Sequence, residues 1–281
     1  MRTVNNCPIG IFDSGVGGLT VFQEIHKLLP QESILYFADN ARLPYGNRSS
    51  TEILQFVREI LTWMSHSKVK IAIMACNTSS ALALEAVRKE FSFPILGVVL
   101  PGARAAAKYG RSVGVISTLA TAKSDSYRQA IQEINPDIKV WQIGCPELVP
   151  LIERDKIHDF HTQKTLKKYI NPLLEKNIDT LIYGCTHYKH LEEIIKNIIP
   201  YKIELIDPAY YVAQSVKKEL EIMSLRGNNS YFSVRFVVTG SPKNFSHLSK
   251  KWLGYYPLVD FISLSRNLQE LIISNKMDQK N

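Results

Sequence analysis

Apolar positions along the chain fall into short continuous runs that alternate with stretches of helical spacing. Ile9-Gly10-Ile11-Phe12 is the first run, and it ends in the polar, glycine-rich Asp13-Ser14-Gly15-Val16-Gly17-Gly18. Phe22, Ile25 and Leu29 then recur at helical spacing until Pro30 stops the element. Residues 33–38 read as a second strand, followed by a loop over 40–48 that carries Pro44-Tyr45-Gly46. Ser49 and Glu52 have the spacing of a capping box ahead of Ile53, Phe56, Val57, Ile60 and Leu61, an amphipathic helix. A third strand over 71–75 runs into Cys76-Asn77-Thr78-Ser79-Ser80 and a helix through Phe91.

The second half repeats this grammar. Strands are expected at 112–117 and 138–143, with helices at 121–134, near 146–153 and at 162–176, the last containing Pro172. The strand at 180–183 ends in Gly184-Cys185-Thr186-His187, and a helix through Ile199 is expected to follow. Residues 223–230 read as an exposed loop; a strand at 234–238, a helix at 242–253 and a strand at 258–262 close the pattern. Strands alternating with helices predict parallel βαβ units, hence an α/β fold. Gly10 and Gly114, and Cys76 and Cys185, are separated by nearly the same interval, a little over a hundred residues. Two similar halves follow, each presenting a cysteine at the carboxyl end of a strand, where open parallel sheets bind ligands. Facing each other, they would bring both thiols into one interdomain cleft.

Length and composition suit this picture. A chain of 281 residues with 45% hydrophobic and 21% charged residues is an ordinary globule of one large or two modest domains. The four cysteines are widely spread with no CxxC pair, which argues against a disulfide framework or zinc ribbon and for a reducing compartment. Residues 1–12 hold no signal-peptide core, and no run reaches the ~18–20 apolar residues of a membrane span. The expectation is a soluble cytoplasmic protein without a membrane partner. A net charge of +8 raises the question of nucleic acid, but Lys27, Arg58, Lys89, Lys108, Lys139, Lys168, Lys217 and Lys251 sit in separate segments. Scattered charge supports only non-specific binding, so a nucleic-acid role is not expected.

The candidate chemistry lies at the strand tips. The glycines after Ser14 miss the dinucleotide fingerprint, because Thr20 stands where its last glycine belongs, and no phosphate-binding GxxxxGK[ST] exists. Close backbone approach to a small ligand is the better use of them. Cys76 and Cys185 share one context, an apolar strand, then cysteine, then hydroxyl or amide residues, then a helix. A helix N-terminus stabilises a thiolate, so both are expected to have lowered pKa values. Two thiols flanking one pocket can take a proton from one face of a carbon acid and return it to the other. A redox pair and a Cys185–His187 hydrolase are rivals; the hydrolase leaves Cys76-Asn77-Thr78 unexplained. Cys7 and Cys145 lack this setting and read as structural. The pairs His158/His161 and His187/His190 have a spacing compatible with metal, but no third ligand is near, and no metal site is assigned. Tyr45, in its Pro-Tyr-Gly loop, is the aromatic residue with a binding role to consider.

Asp13-Ser14-Gly15-Val16-Gly17-Gly18-Leu19, Arg42-Leu43-Pro44-Tyr45-Gly46, Ala75-Cys76-Asn77-Thr78 and Gly184-Cys185-Thr186-His187-Tyr188 together resemble the glutamate racemase family. The resemblance runs in order from about residue 9 to 210. Weaker matches are Cys145-Pro146 with Val149-Pro150-Leu151-Ile152-Glu153, and Thr239-Gly240 with Phe245. It implies an isomerase that interconverts L- and D-glutamate without a cofactor and supplies D-glutamate for peptidoglycan, hence cell-wall biogenesis and cell shape. Cys76 would act on the α-proton of D-glutamate and Cys185 on that of L-glutamate. Asp13, Ser14, Tyr45, Gly46, Asn77, Thr78, Thr186 and His187 would bind the substrate. Asp13 and His187 would also assist proton transfer, with Glu153 in a supporting role. The resemblance further implies two Rossmann-like domains related by pseudo-symmetry, residues 1–98 plus 209–281 and residues 99–208, and is compatible with a homodimer. An aspartate or hydantoin racemase is the alternative within the superfamily; a binding protein with inactive cysteines is the alternative outside it. One departure is Lys189, where the family usually has proline, which bears on the rigidity of that loop.

Overall fold

The computed structural model describes residues 4–200, 202–227 and 232–264. Its first half is β1 (Ile9–Asp13), α1 (Leu19–Leu28), β2 (Ile34–Ala38), α2 (Ser50–His66), β3 (Ile71–Met74), α3 (Asn77–Val87) and β4 (Ile95–Gly97). The chain continues with α4 (Val99–Tyr109), β5 (Ser112–Ser117), α5 (Leu119–Ser124), α6 (Ser126–Ile134), β6 (Lys139–Gly144), α7 (Leu148–Glu153) and α8 (Phe160–Leu174). It ends with β7 (Thr180–Gly184), α9 (Glu192–Ile198), β8 (Glu204–Ile206), α10 (Pro208–Ile222), β9 (Val234–Val238), α11 (Pro242–Leu253) and β10 (Val259–Phe261).

All pairings are parallel. One sheet has the order β10-β9-β2-β1-β3-β4 and the other β6-β5-β7-β8. The second order repeats the β2-β1-β3-β4 portion of the first, so the two α/β domains are related as the glycine and cysteine intervals predict. Gly10 sits between Leu35 and Ala72, and Gly114 between Trp141 and Leu181. Every residue of β1, β2, β3 and β7 is buried, which is why these strands read as unbroken apolar runs: helices cover both faces. The chain leaves the first sheet after β4 and comes back through α10, whose Val212, Ala213, Val216 and Leu220 pack with Leu19 and Phe22 of α1. α4 instead packs Ala103 and Ala106 against Val113 and Val115 of β5. Lys70, fully buried, fastens the return: Nζ donates to Asn5 O (2.7 Å), Leu225 O (2.8 Å) and Glu32 Oε2 (2.5 Å).

Several elements differ from the sequence expectation. β4, α4, β8 and α10 were not anticipated. The expected helix at 121–134 is broken into α5 and α6, because Asp125 takes a left-handed conformation (φ 57°). α3 stops at Val87, short of Phe91. The helix after Cys185 is first a tight 3₁₀ segment, Thr186–Leu191, before α9 begins. The capping box forms as read, with Ser49 and Glu52 bonded reciprocally. Residues 228–230 of the expected loop lie outside the described residues.

Candidate active site

Four loops at the carboxyl ends of the strands converge between the two domains. β1 delivers Asp13 and Ser14. Asp13, fully buried, accepts from the Gly15 N–H through Oδ1 (2.9 Å) and from the Thr186 hydroxyl through Oδ2 (3.2 Å). The second of these bonds crosses from one domain to the other. Burial raises the Asp13 pKa, while the charge of His187 and those hydrogen bonds oppose the rise. Gly17 lets the Cys185 loop come this close: a Cβ there would lie 2.4 Å from His187 Nδ1 and 2.5 Å from Thr186 Oγ1.

β3 leads through Ala75 to Cys76, which occupies the N-cap position of α3. Asn77 follows, its Oδ1 accepting from Tyr127 of α6 at 2.6 Å. Thr78 Oγ1 is 2.9 Å from Thr118 Oγ1 and 3.3 Å from Thr121 Oγ1, so three hydroxyls bridge α3 and α5. The loop over 40–48 closes one side, with Gly46 against Thr118, where a Cβ would lie 2.6 Å from the Thr118 Cβ. Tyr45 lines the cleft with its ring, and its hydroxyl is taken by Asp39, which also binds Arg42 Nε (2.6 Å) and Thr239 Oγ1 (2.7 Å).

β7 ends at Cys185. Its sulfur is 3.8 Å from His187 Nδ1, and His187 Nε2 is 2.6 Å from Glu153 Oε1 of α7. Tyr188 anchors this loop by donating to Cys145 O (2.9 Å) and Ser117 O (3.2 Å). Lys189, the departure from the family pattern, reaches Glu192 and Asp207 Oδ2 (3.6 Å), an ionic tie in the place of a rigid ring. His190 stacks on Trp252, and burial among positive neighbours holds it neutral, its pKa pushed down to about 2. His158 and His161 are exposed and outside the cleft.

The cleft is lined by Ser14, Tyr45, Gly46, Cys76, Asn77, Thr78, Cys185, Thr186 and His187, with Asp13 and Glu153 one layer behind. Thr118, Cys145, Pro146 and Val149 also line it. Cys145, read as structural, forms part of the wall of the cleft. All four cysteines are free, and among the described residues no cluster of three or more His, Cys, Asp or Glu could hold a metal.

The electrostatics correct one expectation. The Cys76 thiol is pushed up to about 12, by burial first and then by the Asp13 carboxylate. Its position before α3 does not lower it overall. His187 shows the opposite balance. Burial disfavours its charge, yet its hydrogen bonds to Cys185 and Glu153, with their negative charges, raise its pKa well above 6.5. A raised folded-state value stabilises the protein fully below about pH 6.5, and that contribution is lost as pH climbs through the raised value. Nuclear magnetic resonance titration of the imidazole should find it charged above pH 6.5 in the native protein. In Glu153→Gln the midpoint should fall, because one of the two partners of the imidazolium is gone; an unchanged midpoint would refute the pairing.

Buried thiols beside an Asp on one side and a His–Glu pair on the other, between two parallel-sheet α/β domains, define an enzyme of the racemase type. The chain belongs to the Asp/Glu/hydantoin racemase family, whose model matches residues 9–216, and it is an isomerase. The relatives narrow this further. A glutamate racemase of Rippkaea orientalis is 62% identical over 278 residues, 99% of both chains. A glutamate racemase isoform from Bacillus anthracis superposes with TM-score 0.90 at 38% identity, covering 92% of this chain and 98% of that one. The Francisella tularensis glutamate racemase in complex with D-glutamate gives TM-score 0.88 at 34% identity, with the same coverage.

Proposed function

We propose that this chain interconverts L- and D-glutamate by a two-thiol acid/base mechanism that needs no cofactor and no metal. The observation that carries this reading is the pair of cysteines at equivalent strand tips, both lining one buried cleft. In one direction the Cys76 thiolate takes the α-proton of D-glutamate, and the Cys185 thiol delivers a proton to the opposite face. In the other direction the roles exchange. The resting Cys76 is a thiol, so its activation needs a proton acceptor. Asp13 is the charged group beside it, with a carboxyl that burial already makes more basic. His187, tied to Glu153, does the matching work beside Cys185.

The carbanion formed at Cα needs donors fixed in advance. Ser14 and Thr78 offer hydroxyls, Gly46 a backbone N–H, and Asn77 an amide whose oxygen is held by Tyr127, leaving its NH₂ end for the ligand, while Thr186 lines the site with its hydroxyl proton given to Asp13. Tyr45 serves as a wall, its hydroxyl being engaged by Asp39. The reading assigns residues 1–98 plus 209–281 to one domain and 99–208 to the other. It places the enzyme in the cytoplasm, supplying D-glutamate to peptidoglycan and so to cell-wall biogenesis and cell shape, with no nucleic-acid role; a homodimer fits it. Among the described residues no helix is long and apolar enough to cross a membrane.

The test is circular dichroism of L-glutamate incubated with EDTA-treated, pyridoxal-free protein. The signal should decay to zero as the racemate forms. Decay with L-aspartate and none with L-glutamate would overturn the substrate, and no decay with any amino acid would overturn the activity.

A further inference from the structure

The two thiols differ in what faces them. Cys185 has a titratable partner in His187. Cys76 has the Asp13 carboxylate, which opposes a thiolate, with Cys185 itself and the phenols of Tyr36 and Tyr45 also within electrostatic reach. With Cys76 at the N-cap of α3, Ser79 is the third residue of the helix, the place whose backbone N–H an N-cap side chain addresses, and its N–H and hydroxyl both act to lower the Cys76 pKa. Ser79 is completely buried, and its Oγ has no hydrogen-bond partner among the described residues. The resting Cys76 side chain makes no capping bond to α3. A buried hydroxyl without a partner costs stability, and alanine in its place would avoid that cost. The hydroxyl is idle while Cys76 is a thiol and has an acceptor as soon as the sulfur is charged.

We propose that Ser79 is a positioning residue for Cys76, receiving the thiolate with its hydroxyl and backbone N–H once Asp13 has taken the proton. Both Ser79 groups pull the Cys76 thiol down against burial and Asp13. The inference rests on the two-thiol reading, in which Cys76 is the base for the D enantiomer.

Racemisation cannot isolate one thiol, because an equilibrium constant of unity ties kcat/KM in the two directions. Elimination of chloride from β-chloroglutamate can, since it needs only α-proton removal and is irreversible. In Ser79→Ala the acid limb for the D form should move up by about one pH unit, making it about tenfold slower below that limb. The L form should be unchanged, and Ser79→Thr should restore the D profile. The thermal midpoint of Ser79→Ala should be equal to or above that of the native protein, which a structural hydroxyl would not give. An unmoved D profile in Ser79→Ala, with Cys76→Ser inactive on the D form, overturns the role of Ser79 and leaves the base assignment standing. Equal slowing of both enantiomers also overturns it, as a general packing defect. Full D elimination in Cys76→Ser would remove the base assignment, and the Ser79 proposal with it.

Discussion

Cys76→Ser and Cys185→Ser are each expected to abolish racemisation, because inversion at Cα needs one group to remove the proton and another to return it. The loss should be on the order of 10²–10⁴-fold or more, the range attributed to a positioned acid or base. Neither variant should lose its fold: exchanging sulfur for oxygen is nearly isosteric and costs a modest amount. Half-reactions should separate the two residues. With β-chloroglutamate, Cys76→Ser should still eliminate chloride from the L form, where Cys185 is the base, and lose the D form; Cys185→Ser should do the reverse. A serine hydroxyl is a far weaker base at neutral pH than a thiolate, so each loss should be large and one-sided. Equal losses on both enantiomers in both variants would contradict a division of labour by face.

The pairing of Cys76 with Cys185 was visible in the sequence as a repeated context, and the paired sheets give its origin. β3 and β7 hold equivalent places beside β1 and β5, so an interval in the chain became a relation in space. β1, β2, β3 and β7 were legible because burial on both faces leaves them almost wholly apolar. β4 and β8 were not, being three residues long with too little pattern to register. α4 is an alanine-rich stretch interrupted by Pro101, and its buried face is built mostly of small residues, Gly102, Ala103, Ala105 and Ala106. α10 does carry a signal in the sequence: Asp207 caps the helix through the Ala209 N–H, Pro208 stands at its first turn, and Val212, Val216 and Leu220 share one face. Thr118 could also have been found, since the interval that maps Gly10 onto Gly114 maps Ser14 onto Thr118. The Glu153–His187 contact joins elements 34 positions apart and rests on tertiary packing that no local pattern encodes. The thiol expectation failed on magnitudes. A helix N-terminus supplies about 1 kcal/mol, whereas a rise from 9.0 to about 12 at Cys76 corresponds to about 4 kcal/mol. At Cys76 burial outweighs the helix N-terminus.

Gly17→Ala should be the most damaging single methyl that can be added to the cleft. The new Cβ would need the space of His187 Nδ1, 2.4 Å away, and Thr186 Oγ1, 2.5 Å away. Neither neighbour is a loose surface side chain. His187 is held between Glu153 and Cys185, and Thr186 is bonded to Asp13. The backbone after β1 and the loop after β7 must therefore separate, and this carries Asp13 away from Thr186. Displacements near 1 Å at reacting groups cost about 10²-fold in rate, so kcat/KM should fall by at least that amount. In chloride elimination from β-chloroglutamate the loss should appear with both enantiomers, unlike that of either cysteine variant, because the methyl disturbs the contact between the domains and not one thiol. The His187 titration midpoint should move as well, since its spacing to Cys185 and Glu153 sets its charge. Wild-type kcat/KM in Gly17→Ala, with an unshifted His187 midpoint, would mean that the loops do not need this close approach for turnover.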